Sequence, residues 1–116
     1  MSRLIQATCV AIGGRGVLIQ GPPGSGKSSL ALALIDRGAM LVGDDGLNVE
    51  AQGAVLRAFP PPRIAGLIEV RNVGILTRPV TSFVPIALAL RLDPAAPRLP
   101  EEPDELSIEG INLPCL

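Results

Sequence analysis

Residues 4–12 alternate loosely between apolar and polar positions and are rich in small and β-branched types. Gly13-Gly14-Arg15-Gly16 follows as a turn, and Val17-Leu18-Ile19 is a short apolar run suited to a buried strand. Together they predict a β-hairpin leading straight into a glycine-rich loop. From Lys27 the period changes. Leu30, Leu32, Leu34 and Ile35 sit among alanines, Asp36 and Arg37 close the run, and Gly38 stands just beyond it. That pattern predicts a helix of about three turns with Gly38 as its C-terminal stop. Met40-Leu41-Val42-Gly43 reads as a second buried strand, closed by Asp44-Asp45-Gly46. Residues 47–50 and 54–58 flank Ala51-Gln52-Gly53 as a second hairpin.

Farther along, Pro60-Pro61-Pro62 breaks regular structure and makes an extended connector. Residues 64–76 read as mixed strand and turn, and the alternation in 83–92 suits a strand. From Asp93 the chain is rich in proline and acid, which predicts irregular structure as far as residues 106–113. The acids of 101–105 read as a solvated surface stretch. No internal repeat is present, and the elements fit one domain, 1–116. The ending Leu113-Pro114-Cys115-Leu116 has neither a helix stop nor a polar tail, which points to a domain shortened at its C-terminus.

Composition narrows the picture. The 116 residues suffice for one small core. With 47% apolar and 18% charged residues, the chain reads as globular. Phe59 and Phe83 are the only aromatic residues, so the core must be aliphatic and base stacking has no platform. The net charge is −1 and no basic run exceeds one residue, which excludes the basic stripe of a nucleic-acid binder. Cys9 and Cys115 lie near opposite ends and form no metal-ligand pair. They read as two free thiols in a reducing cytosol, Cys9 as a small core residue. Arg3 and Gln6 interrupt the opening apolar stretch, so no signal peptide is expected, and no window approaches the roughly 18 apolar residues of a membrane span. A cytoplasmic protein is expected.

The chemistry concentrates in residues 21–28, GPPGSGKS, a full match to the phosphate-loop pattern G-x-x-x-x-G-K-[ST]. Gly21 and Gly26 would let the backbone turn so that consecutive N–H groups point at a phosphate, around Pro22, Pro23, Gly24 and Ser25. Lys27 would reach β- and γ-phosphates, and the Ser28 hydroxyl would ligate magnesium at the positive end of the helix dipole. Lys27 is the only lysine of the chain, against nine arginines. Coincidence is the competing explanation. The apolar run before the motif and the helix after it weigh against coincidence. The expected ligand is therefore ATP with magnesium.

Asp44-Asp45 comes next. A short strand–helix–strand crossover makes its two strands parallel, so their carboxyl ends share one edge of the sheet, where ligands of such folds bind. Both aspartates are thereby carried back beside the loop. An ordinary Asp-Gly turn before Leu47 explains the same residues and is compatible with that role.

Taken together, these residues resemble the catalytic domain of the HPr kinase/phosphorylase family. The matching pieces are Gly16-Val17-Leu18-Ile19, the GPPGSGKS loop, Leu30-Ala31-Leu32 through Arg37-Gly38, Asp44-Asp45, and the segment Gly66–Leu76 around Glu69. The resemblance covers roughly residues 5–77. It implies an α/β fold: a P-loop-containing mixed sheet with few helices, like phosphoenolpyruvate carboxykinase. It also implies a serine kinase acting on the phosphocarrier protein HPr or a paralogue, with ATP and Mg2+, often as a hexamer, and with no nucleic acid or membrane as partner. By position, Gly21–Ser28 would hold ATP, and Ser28 and Glu69 would hold the metal. Asp45 would take the proton from the attacking serine, with Asp44 beside the phosphates and metal. Without the resemblance, Glu69 reads as a salt-bridge partner of Arg71 or Arg63.

Three departures matter. Gln6 stands where the family usually has a catalytic histidine, and the chain contains no histidine at all. Glutamine cannot take up a proton, so weakened activity is expected. Asn72 replaces a usual glycine. The family's C-terminal HPr-gripping region, with its extra arginine, has no counterpart, which counts against phosphorylase activity. Two alternatives therefore stay open: a nucleotide-binding regulatory module without transferase activity, and a P-loop kinase or ATPase acting on a small molecule.

Overall fold

A computed structural model describes residues 2–22, 24–44, 46–60, 65–70, 74–77, 84–92 and 104–115. Their elements run in the order β1 (Ser2–Ile5), β2 (Thr8–Ile12), β3 (Arg15–Gln20), α1 (Lys27–Asp36), β4 (Met40–Gly43), β5 (Leu47–Gln52) and β6 (Val55–Phe59). There follow β7 (Leu67–Val70), β8 (Gly74–Thr77), β9 (Val84–Arg91), β10 (Asp104–Ile108) and β11 (Ile111–Cys115).

The first hairpin forms over Thr8–Ile12 and Arg15–Gln20, while residues 4–5 of the expected strand belong instead to β1, which pairs with β5. Thr8 faces Ile19 and Ile12 faces Arg15, joined by the Gly13-Gly14 turn. The second hairpin pairs Asn48 with Phe59 and Gln52 with Val55, so its turn is the two residues Gly53-Ala54, one place later than expected. The helix begins at Lys27 and ends where Gly38 was expected to stop it. Gly38 N–H donates to the Ile35 carbonyl at 3.0 Å and Ala39 N–H to the Leu34 carbonyl at 3.0 Å. These two bonds form a Schellman closure, and Ala39 and Leu34 pack in the same cluster.

Long-range pairing builds one mixed sheet in the order β1-β5-β6-β9-β3-β2-β4, with β11 also on β9 and β10 on β11. The β7–β8 pair forms a separate small sheet. Both β3 and β4 are antiparallel to β2. They are therefore parallel to each other, as the crossover argument requires, but β2 lies between them. The central β9 runs parallel to β3, pairs antiparallel with β6 at Pro85 and Val84, and meets β11 at Ala89.

Side-chain alternation divides the apolar residues between the two faces of this sheet. On one face Cys9, Ala11, Leu18 and Val42 join Leu47, Val49, Leu56 and Leu113 in an all-strand core. On the other, Val10, Ile19 and Leu41 lie under α1 with Ala31, Ala39 and Ile68. Among the described residues neither cluster contains an aromatic side chain. Each large aliphatic residue so buried contributes about 1.5–3 kcal/mol. Cys9 and Cys115 are both buried, free thiols.

The tail, expected to be irregular only as far as residues 106–113, becomes regular two residues sooner: Asp104–Ile108 pairs along its length with Ile111–Cys115. Ile108, Leu113 and Cys115 bury themselves in the all-strand core, which supplies the reason that local composition hid. Residues 61–64, 71–73, 78–83 and 93–103 lie outside the described residues, and with them most of the triple-proline connector, Arg63, Arg71 and Asn72.

Candidate phosphate-binding site

Strand β3 delivers the chain to the loop at Gln20, whose carbonyl accepts a hydrogen bond from Leu92 N–H at 2.7 Å. This bond ties the loop's entry to the exit of β9. Gly21 follows, and its role differs from the expected sharp turn. A Cβ there would lie 2.5 Å from Ser25 Oγ and 2.8 Å from the Leu92 carbonyl oxygen. Glycine is needed at this position because the loop folds back against β9, leaving no room for a side chain. Gly26 meets the conformational expectation, with φ of 95°, a left-handed geometry that costs other L-residues.

Gly26 caps α1 through its backbone. Its carbonyl accepts from Leu30 N–H at 2.9 Å. No side chain caps the helix start, and no acidic residue occupies its first turn. A helix that opens this way leaves its N–H groups and dipole to an external anion. Within the loop, Ser25 N–H donates to the Pro22 carbonyl at 3.1 Å. Ser25 Oγ is buried with no partner among the described residues, an unmet hydroxyl that suits a phosphate oxygen. Lys27 folds over the loop and donates from Nζ to the carbonyls of Gly21 at 2.7 Å and Pro22 at 3.3 Å.

The second half of the site comes from β4. Asp44, at the bend after that strand, is only 7% exposed. Its Oδ1 accepts from Ser28 Oγ at 2.7 Å. The hydroxyl expected to face magnesium thus meets the carboxylate expected to stand beside it. Parallel β3 and β4, their carboxyl ends on one side, bring the two together across 16 residues. Hard oxygen donors of this kind suit Mg2+, which binds through one or two protein oxygens plus phosphates and water. Ser28, its hydrogen held by Asp44 and its lone pairs open, therefore fits the cation, and the loop fits a polyphosphate.

A third residue enters that the sequence reading missed. Thr8, fully buried on β2, donates from Oγ1 to the same Asp44 Oδ1 at 3.1 Å. The available signal was a lone hydroxyl within residues 7–11, a run buried throughout. Gln6 lies two residues earlier, exposed in the bend between β1 and β2. It borders a cavity of about 470 Å³ that also touches Gln20, Ile5 and Leu106. Pro23 and Asp45 lie outside the described residues. Glu69 sits on β7, opposite Ile75 of β8, and its side chain is likewise outside them. Among the described residues no cluster of three or more His, Cys, Asp or Glu could hold a metal by itself. No helix among them is long and apolar enough to cross a membrane.

Fold and site together define an α/β domain in which a phosphate loop and a buried aspartate meet at one edge of a mixed sheet. The family model described as "HPr Serine kinase C-terminal domain" matches residues 1–83, and the chain belongs to that family. It is 33% identical over 123 residues to the HPr kinase/phosphorylase of Streptococcus thermophilus, across 95% of this chain and 40% of that protein. With the HPr kinase/phosphorylase of Clostridium novyi it shares 44% identity over 70 residues, 60% of this chain and 23% of the other. The chain thus spans well under half the length of these relatives. The solved structure of the Hpr(Ser) kinase/phosphatase from Coxiella burnetii superposes with a TM-score of 0.86 at 32% identity. That match covers 97% of this chain and 83% of the other.

Proposed function

We propose that this chain is the nucleotide-binding catalytic core of an ATP-dependent serine kinase that phosphorylates the phosphocarrier protein HPr or a paralogue. The observation that carries the reading is the 2.7 Å bond between Ser28 and Asp44, which joins the hydroxyl at the end of the phosphate loop to a buried carboxylate. Family membership supports the acceptor class.

In this reading, the N–H groups of Gly24 and Gly26, the Ser25 hydroxyl and the start of α1 hold the polyphosphate. Lys27 exchanges the carbonyls of Gly21 and Pro22 for phosphate oxygens, to which its charge is better matched. Ser28 and Glu69 hold the cation, with Asp44 orienting Ser28. When bound, magnesium supplies neutralisation of the charge on the β- and γ-phosphates. Asp45 accepts the proton of the acceptor serine hydroxyl as its oxygen takes the γ-phosphoryl group and the bond from that phosphorus to ADP breaks, and the carboxylate returns the proton to water afterwards. A cytoplasmic setting and a hexameric assembly complete the proposal.

Gln6 favours a second reading, a nucleotide-binding regulatory module. It is exposed, beside the cavity that adjoins Gln20, and unable to titrate. Incubation with labelled ATP and magnesium, with and without HPr, separates the readings. Label on an HPr serine is expected. Nucleotide binding without turnover would establish the regulatory module, and turnover indifferent to HPr would indicate a small-molecule kinase or ATPase.

A further inference from the structure

We infer that Thr8 is a positioning residue for the cation side of the phosphate site, acting through Asp44 on Ser28. The inference rests on the nucleotide-binding reading above and adds to it a residue that neither the loop motif nor the aspartate pair contains.

Among the described residues, the buried polar or charged side chains are Thr8 and Asp44, and they are bonded to each other. Two hydroxyls converge on one carboxylate oxygen: Ser28 Oγ at 2.7 Å and Thr8 Oγ1 at 3.1 Å both donate to Asp44 Oδ1. A serine hydroxyl has one hydrogen and two lone pairs. With the hydrogen committed to Asp44, the lone pairs of Ser28 are left for a cation, and their direction depends on where Oδ1 sits. Asp44 lies at a bend just past β4, so its own backbone restrains it less than a strand interior would.

Thr8 supplies the restraint. It opens β2, the strand held between β3 and β4, and is fully buried. As a β-branched residue it is stiff at χ1. It therefore holds Oδ1 from a strand flanked by β3 and β4 while Ser28 holds it from the helix. Partners one step removed from a metal ligand act in this way, fixing the ligand's direction without touching the metal.

The test compares Thr8→Val, which keeps the shape and removes the hydroxyl, with Thr8→Ser, which keeps the hydroxyl. Binding of a fluorescent ATP analogue to the full chain is titrated against Mg2+, and thermal unfolding is followed in parallel. Thr8→Val is expected to raise the Mg2+ concentration needed for half-maximal tight binding by about 10-fold, with metal-free binding unchanged, and Thr8→Ser to restore it. Should Thr8→Val not fold, Thr8→Cys, with its weaker S–H donor, is expected to show the same shift in Mg2+ requirement. Unchanged Mg2+ dependence in the hydroxyl-free variant, or an equal shift in Val and Ser, would overturn the role and leave only packing. Failure of the unaltered chain to bind the analogue at any Mg2+ concentration would instead remove the nucleotide reading, and this inference with it.

Discussion

The two faces of the central sheet are built unequally. The all-strand face buries fifteen residues in one cluster: Ala7 just before β2, and fourteen from β2, β3, β4, β5, β6, β9, β10 and β11. The helix face fully buries six, and most of what surrounds them, including Leu30, Leu32, Leu34 and Ile35, is half-buried. Ala31 is the one helix residue that is fully buried. The phosphate loop and its helix thus ride on the shallower face, against a sheet whose rigidity comes from the opposite side. Stability and ligand binding are separable for this reason. The deep face holds the fold, and the shallow face holds a site that must adjust when an anion arrives.

Truncation on the deep face gives the largest effect. Leu18→Ala removes a fully buried side chain from β3 and is expected to cost about 2–5 kcal/mol. For a small domain that is a large share of the total stability, so denaturant unfolding should move to far lower concentration. Leu30→Ala, on the half-buried side of α1, should cost clearly less. Equal losses from the two would erase the distinction between the faces.

Overfilling the shallow face comes next. Ala31→Leu forces extra volume between α1 and the sheet and is expected to cost about 1–3 kcal/mol. Because α1 carries Ser28, the same change should weaken nucleotide affinity, measurable by titration with a fluorescent analogue. A fall in unfolding temperature with affinity intact would mean that the helix can shift without disturbing the loop.

A pH-dependent signature belongs to the deep face. Burial pushes the Cys9 thiol up from 9.0 to about 12, opposed in part by a hydrogen bond from the Val17 backbone. Between those values the folded chain keeps a proton that the unfolded chain has lost. Stability is therefore full below pH 9 and falls as pH rises toward 12. Cys9→Ala should flatten that slope in urea melts across the window. An unaltered slope would show that Cys9 is not its source.

The sequence made the local parts of both faces legible. The hairpin of β2 and β3, the loop, the helix with its Gly38 stop and the strand before Asp44 all announce themselves through turns, caps and period. Long-range pairing left no such trace. Nothing local says that β2 slots between β3 and β4, or that β9 pairs with β3, β6 and β11, because those contacts depend on which edges remain unpaired as the sheet assembles. The β10–β11 hairpin was hidden by the acids and prolines around it, since burial of Ile108 and Leu113 outweighs their poor strand preference. In the site, the loop residues follow from a spacing rule, while Thr8 was invisible because its partner lies 36 residues away.

Gln6 offers the subtlest probe. It is exposed in a bend, so replacing it should change stability by no more than about 0.5 kcal/mol. Gln6→His introduces the chain's first imidazole beside the cavity that adjoins Gln20. If the proposed kinase chemistry is right, transfer of phosphate to HPr should rise in this variant. The gain should appear as pH passes upward through about 6.5, where an unperturbed imidazole loses its proton and can accept one. The sign discriminates: a mere change of shape or polarity would give a constant ratio to the unaltered chain at every pH. A pH–rate profile from 5.5 to 8 for both proteins, at saturating ATP and magnesium, distinguishes the two cases. A flat ratio of one would show that this position takes no part in proton handling, and the exposed bend would then be only the link between β1 and β2.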